Sequence, residues 1–219
     1  MKNNFSYLLV ALLLLIIGVP ITNDLELVSI QLSRVLGGSS LLAVGVWSLR
    51  GAGRLYSAGM VVAIVGIILS VLSIALEDDI LRVTALLAMF VFLLLATFNT
   101  LRQLAVGNNI SPNRIVGAIC VYLLLGVMWS IAYTVLEFSQ PGSFKGLTEL
   151  VSPVWNPDWI YFSFVTITTL GYGDITPLTQ TARSLSFLEA IVGQFYIAVL
   201  VAGLVSAYIS TRQNSSNSD

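Results

Sequence analysis

Long apolar runs broken by short polar turns leave this chain few ways to fold. A helix rises about 1.5 Å per residue, so about 20 apolar residues match a bilayer core of about 30 Å. Six stretches approach that length: residues 5–21, 28–49, 55–76, 80–101, 115–138 and 184–210. Hydrophobic residues make up 57% of the chain and charged residues only 10%. A water-soluble chain of 219 residues needs far less apolar surface. The sequence therefore predicts an all-α membrane protein whose first partner is the lipid bilayer. The first stretch follows Lys2, as a cleaved signal peptide would, but Gly18-Val19-Pro20-Ile21-Thr22 lacks a small-x-small cleavage site, so a retained helix is expected. The second contains Arg34 and Gly37-Gly38, and its helix is expected to start near Val35.

The second half has a different rhythm. Residues 102–114 are polar, and Ser111-Pro112 suits the start of the next helix. The expected division is a four-helix membrane domain over 1–102, a linker over 103–114, a second membrane domain over 115–210 and a short tail over 211–219. Residues 139–157 hold three prolines and two glycines and read as a loop. Residues 158–168 form an apolar helix too short to cross a bilayer, with Asp158 in its first turn where the helix dipole favours an acid. Such a helix enters the membrane and stops. Next comes Thr168-Thr169-Leu170-Gly171-Tyr172-Gly173-Asp174. Gly171 and Gly173 permit backbone angles with φ > 0 that a Cβ-bearing residue resists.

This heptad, lying between two apolar spans and after an aromatic-rich short helix, resembles the selectivity filter of tetrameric potassium channels. The resemblance covers roughly residues 115–210. It implies six transmembrane helices, a re-entrant pore helix and a filter, assembled as a C4 homotetramer. In that family four loops replace the hydration shell of K⁺ with carbonyl oxygens. By resemblance, K⁺ is held by the carbonyls of Thr169, Leu170, Gly171 and Tyr172, with Gly173 completing the filter and Thr169 hydroxyls adding an inner ring. Thr168 matches the first of the family's paired threonines and Asp174 the outer-mouth aspartate. Tyr161 and Phe162 fall where relatives carry two aromatics around the filter. Val165 occupies the place where some relatives carry an acidic partner for that aspartate, so Asp174 needs another donor, and the Tyr161 hydroxyl is the candidate. Gly193 stands where the family places a hinge glycine.

The family's loop enters from outside, which places both termini in the cytoplasm of a plasma (inner) membrane. Lys2, Arg50, Arg54, Arg102, Arg114 and Arg212 then lie inside, and Asp24, Glu26, Glu77, Asp78, Asp79, Glu149, Asp158 and Asp174 lie outside. That is the positive-inside pattern. Residues 80–101 carry only Arg82 near one end, so steep voltage gating, which needs about three to four charges per subunit, is not expected. Glu189 is an intramembrane carboxylate. It either faces the cavity or sits behind the filter, hydrogen-bonded to Ser163 or Thr166, and the second place is favoured.

The function implied is passive, potassium-selective conduction. A potassium-transporter subunit and a non-conducting regulatory subunit are the alternatives. Cys120, the single cysteine, cannot form an intrachain disulfide, and the chain has no histidine. With no nucleophile–base pair, metal cluster or phosphate-cradling motif in the sequence, no enzyme activity, cofactor or nucleic-acid partner is expected.

Overall fold

The computed structural model describes residues 5–24, 54–76, 78–105, 112–148 and 157–216. Helix α1 is Phe5–Asp24, α2 is Arg54–Leu76, α3 is Asp79–Ala105 and α4 is Pro112–Ser139. The short helix α5, Pro157–Ile167, and the long helix α6, Gln180–Ser216, complete the described helices. The expected span over 28–49, with Arg34, lies outside the described residues, as do Glu77, Glu149 and half of the linker, residues 106–111.

Three described segments are long and apolar enough to cross a membrane: Ile80–Leu104, Pro112–Ser139 and Gln180–Gly203. Phe5–Gly18 and Ser57–Ser73 are shorter apolar helices. The chain is an integral membrane protein built mainly of helices.

Local chemistry sets the helix starts. Asp78 Oδ1 accepts from the amides of Ile80 (2.7 Å) and Leu81 (3.1 Å), an N-cap that satisfies two otherwise orphaned donors. Pro112 and Pro157 each open a helix, where a missing N–H costs nothing. Thr179 Oγ1 accepts from Ala182 N at 3.2 Å. This cap starts α6 at Gln180, four residues before the apolar stretch expected to begin the last span.

One departure from an all-α chain lies beside α5. Phe144–Lys145 (β1) pairs antiparallel with Thr176–Pro177 (β2), Phe144 opposite Pro177 and Lys145 opposite Thr176. The Glu137 carboxylate at the end of α4 shapes the approach, accepting from Gly142 N (2.7 Å) and Phe144 N (3.2 Å). Gly146 has φ 92°, and a Cβ there would sit 1.9 Å from Asp174 O. Only glycine lets these backbones approach so closely.

The core is continuous across the expected boundary at 103–114. Leu8, Leu12 and Leu15 of α1, Leu86, Phe92 and Leu93 of α3, Cys120, Leu124 and Val127 of α4 and Ile160 of α5 form one buried cluster. Phe5 N donates to Asn113 Oδ1 at 2.9 Å, and Arg114 Nη2 donates to Leu104 O. The start of α1, the end of α3 and the start of α4 therefore share one end of the bundle.

α6 meets the end of α5 at Gly193. A Cβ there would lie 2.3 Å from Ile167 O, a backbone atom that cannot swing aside. We expect Gly193→Ala to push α6 off α5 and to cost about 1–3 kcal/mol, the scale of overpacking a tight contact. Thermal unfolding in detergent measures this. A midpoint equal to wild type would show that the two elements do not need that contact.

Candidate functional site

α5 stops at Ile167 because the next residues turn back onto it. Thr168 N donates to Phe164 O (3.2 Å), Thr169 N to Thr166 O (2.9 Å), and Leu170 N and Gly171 N both to Val165 O (2.9 and 3.3 Å). These amides satisfy the carbonyls a helix leaves open at its C-terminus. With their N–H groups turned inward, the carbonyls beyond are left over. Among the described residues, none donates a hydrogen bond to the carbonyl oxygen of Thr169, Leu170, Gly171 or Tyr172.

The backbone angles explain how. φ is positive at Thr169 (58°), Gly171 (59°) and Gly173 (82°), and not at Leu170 or Tyr172 between them. Alternating hands turn successive peptide planes alike, so neighbouring carbonyls face one way instead of flipping as in a strand. Glycine supplies two of these positions freely. Thr169 is the third and was not anticipated, since a Cβ makes the left-handed region cost about 1–2 kcal/mol. Its Oγ1 donates to Thr168 O at 2.7 Å, and Gln194 Nε2 on α6 donates to that same Oγ1 at 3.1 Å. Strain held by such contacts marks a functional loop.

All of residues 168–174 are exposed in the single chain, Leu170 and Tyr172 included. The Tyr172 ring stacks on Tyr161, centroids 6.4 Å apart and planes at 6°. The Tyr161 hydroxyl donates to Asp174 Oδ2 at 2.5 Å, the bond expected from the absence of an acid at Val165. This bond is the main cause that holds the Asp174 carboxyl below its usual range and pushes the Tyr161 phenol up to about 12. Because the folded value of Asp174 is depressed, the bond contributes fully above the ordinary aspartate range. Its contribution is lost as pH falls through the depressed value.

Phe162 is elsewhere. Adjacent helical residues point about 100° apart, and in this chain Tyr161 turns to Tyr172 while Phe162 turns to α4. Phe162 packs edge-on against Tyr133 (4.9 Å) and Phe144 (5.4 Å), in a buried cluster with Trp159, Ile175 and Ala182. It holds α5 against α4 and the β ladder, not against Tyr172. Tyr133, Phe144 and Trp159 were missed as site support, because an aromatic in an apolar run carries no sign of which neighbour it meets.

Glu189 is fully buried behind the loop and does not face a cavity. Ser163 Oγ on α5 lies 2.5 Å from Oε1, and the Tyr133 hydroxyl on α4 donates to Oε2. Ser163 Oγ also lies 2.7 Å from Gly126 O. One carboxyl therefore ties α4, α5 and α6 together. Of the two pore-helix hydroxyls expected to meet it, Ser163 does. Gly193, carried over as a hinge, sits in an unbroken helix and serves the close contact with Ile167. Tyr122 donates to the same Ile167 O at 3.2 Å and stacks on Tyr196.

Two outcomes follow. Tyr161→Phe removes the only side-chain donor seen at Asp174 among the described residues, so amides 170–175 are expected to exchange hydrogen faster; exchange as slow as in wild type would exclude the bond as a support of the loop. Glu189→Ala leaves the Tyr133 hydroxyl buried without its acceptor and is expected to cost about 2–3 kcal/mol in thermal unfolding, with Glu189→Gln costing less. Equal costs would mean that an amide of the same size does not rescue the node, against a role as the acceptor of the Tyr133 hydroxyl.

Residues 119–210, which carry the loop and the helices around it, match a protein-family model described as "Ion channel". The chain is 33% identical over 93 residues to Two pore potassium channel c of Oryza sativa subsp. japonica, covering 42% of this chain and 18% of that protein. It is also 33% identical over 91 residues to Inward rectifier potassium channel Kirbac3.1 of Paramagnetospirillum magnetotacticum, covering 40% and 26%. A third relative is Potassium voltage-gated channel subfamily A member 10 of Mus musculus, 33% identical over 97 residues, covering 43% and 17%. The chain spans about a fifth of the length of the curated relatives it matches. No solved structure matches it significantly. The part of the chain that carries the candidate site is thus similar to ion channels.

Proposed function

We propose that this protein is a potassium-selective channel that conducts K⁺ passively. The observation that carries the reading is the row of four successive carbonyls, at Thr169, Leu170, Gly171 and Tyr172, left without donors among the described residues and turned alike by alternating φ. Oxygens so presented suit a cation stripped of its water, as in the filters of potassium channels. The names of the similar proteins, all potassium channels, support K⁺ as the ion.

One loop supplies one side of such a site, so four chains around a C4 axis complete it. The exposure of Leu170 (55%) and Tyr172 (67%) in the single chain supports this, because large apolar side chains beside a polar site call for a cover. In the assembly Thr169, Leu170, Gly171 and Tyr172 hold K⁺ and Gly173 closes the filter. Thr168, Asp174 and Tyr161 steady it, while Phe162 and Glu189 anchor the short helix behind. The six-span topology places both termini in the cytoplasm, with the first four spans as a packing collar. α3 carries Arg82 near its start and Arg102 near its end, with no charge between them, so voltage has little to act on there.

Purified protein in planar bilayers tests this in one recording. The reversal potential should follow the K⁺ gradient and not the Na⁺ gradient, and open probability should change only shallowly between about −100 and +100 mV, on the scale of ~2.3 kcal/mol per charge per 100 mV. Tyr172→Asp should erode the preference for K⁺. A wild-type reversal potential that weighs Na⁺ and K⁺ equally would sink the reading.

A further inference from the structure

Gln194 stands on α6 one residue past Gly193 and reaches the loop's inner corner, its Nε2 3.1 Å from Thr169 Oγ1. That oxygen also lies 2.7 Å from Thr168 O. A carbonyl oxygen has no hydrogen to give, so the single hydroxyl proton of Thr169 goes to Thr168 O. Towards Gln194, Oγ1 is therefore an acceptor, and only the NH₂ end of the amide satisfies it. A hydroxyl oxygen has two lone pairs. Gln194 takes one, and one remains for anything else that approaches.

The surroundings make this contact specific. Thr169 is the residue whose backbone is held at φ 58°. Gln194 is flanked on α6 by exposed apolar residues, Ile191, Phe195 and Val199. A polar amide in such an apolar stretch is costly unless it finds a hydrogen-bond partner. The polar atom it meets here belongs to the loop.

We propose that Gln194 is a specificity-determining residue of the channel, one that tempers the Thr169 hydroxyl as a cation ligand. The inference rests on the channel reading above. The amide presents the positive end of an N–H to the oxygen that would hold a cation. Donor and cation then compete for the same electron density, and the ring of hydroxyls binds an ion more weakly than free hydroxyls would. Conduction needs sites weak enough for the ion to leave. A divalent cation of similar size gains most when the donor is removed, because Coulomb attraction scales with charge. Ba²⁺ is such a probe.

The test compares full-length wild type with Gln194→Met, which keeps the length and removes the amide. K⁺ and Ba²⁺ affinities are read by calorimetric titration of the purified tetramer, and Ba²⁺ block is read in bilayers. Ba²⁺ should bind at least about fivefold more tightly in Gln194→Met, the scale of one hydrogen bond. The gain should vanish in a Thr169→Val background, which has no hydroxyl to temper. If Gln194→Met fails to assemble, Gln194→Leu serves with the same expectation. Unchanged or weaker Ba²⁺ binding overturns the proposal, even where thermal stability shifts, since a merely structural residue would behave so. The same gain without the Thr169 hydroxyl also overturns it. A wild type that binds neither ion overturns the channel reading, and this inference falls with it.

Discussion

Backbone carbonyls must be satisfied, and four of them in a row find no donor among the described residues of this chain. Inside a membrane an open carbonyl has no water to turn to, so irregular backbone is tolerated only where it lines a cavity or is buried in protein. The loop after α5 divides its polar groups. Its amides fold back onto Phe164, Val165 and Thr166, while its carbonyls face away. The same turn that ends the helix leaves the row of open carbonyls.

Holding such a loop takes contacts on both sides. On the exposed side, Tyr161 spans Tyr172 by stacking and Asp174 by a hydrogen bond. On the buried side, Glu189 joins Tyr133 and Ser163, and Gly193 brings α6 against Ile167. The aromatic cluster of Tyr133, Phe144, Trp159 and Phe162 then fixes the start of α5 to α4 and to the small β ladder. A buried carboxyl stays tolerable only when hydrogen-bonded, and here its partners come from two different helices. The node therefore couples loop position to the packing of the whole second half.

The core that joins α1 and α3 to α4 gives the first helices a physical part in the same arrangement. α4 touches them on one face and α5 on another. Packing this close restricts how far α4 can shift without disturbing Glu189 and Ser163.

Sequence alone determined what depends on length, composition and local chemistry. Apolar runs of bilayer length, proline at helix starts and Gly-Tyr-Gly before an aspartate are one-dimensional signals. They located α3, α4 and α5 to within a few residues, marked the loop, and pointed to Tyr161 as the donor for Asp174, because Val165 could not serve. Tertiary structure alone decided which way each side chain turned and what it met. Nothing local distinguishes Phe162 from Tyr161 as a neighbour of Tyr172; the helical rotation between them does. Nothing local pairs Glu189 with Tyr133, 56 residues away, or Gln194 with Thr169, 25 residues away. The positive φ of Thr169 belongs with these, since its side chain argues against that conformation and contacts from α5 and α6 support it. Spacing along the chain carries periodicity and turn chemistry, whereas partners distant in sequence are chosen by how helices pack.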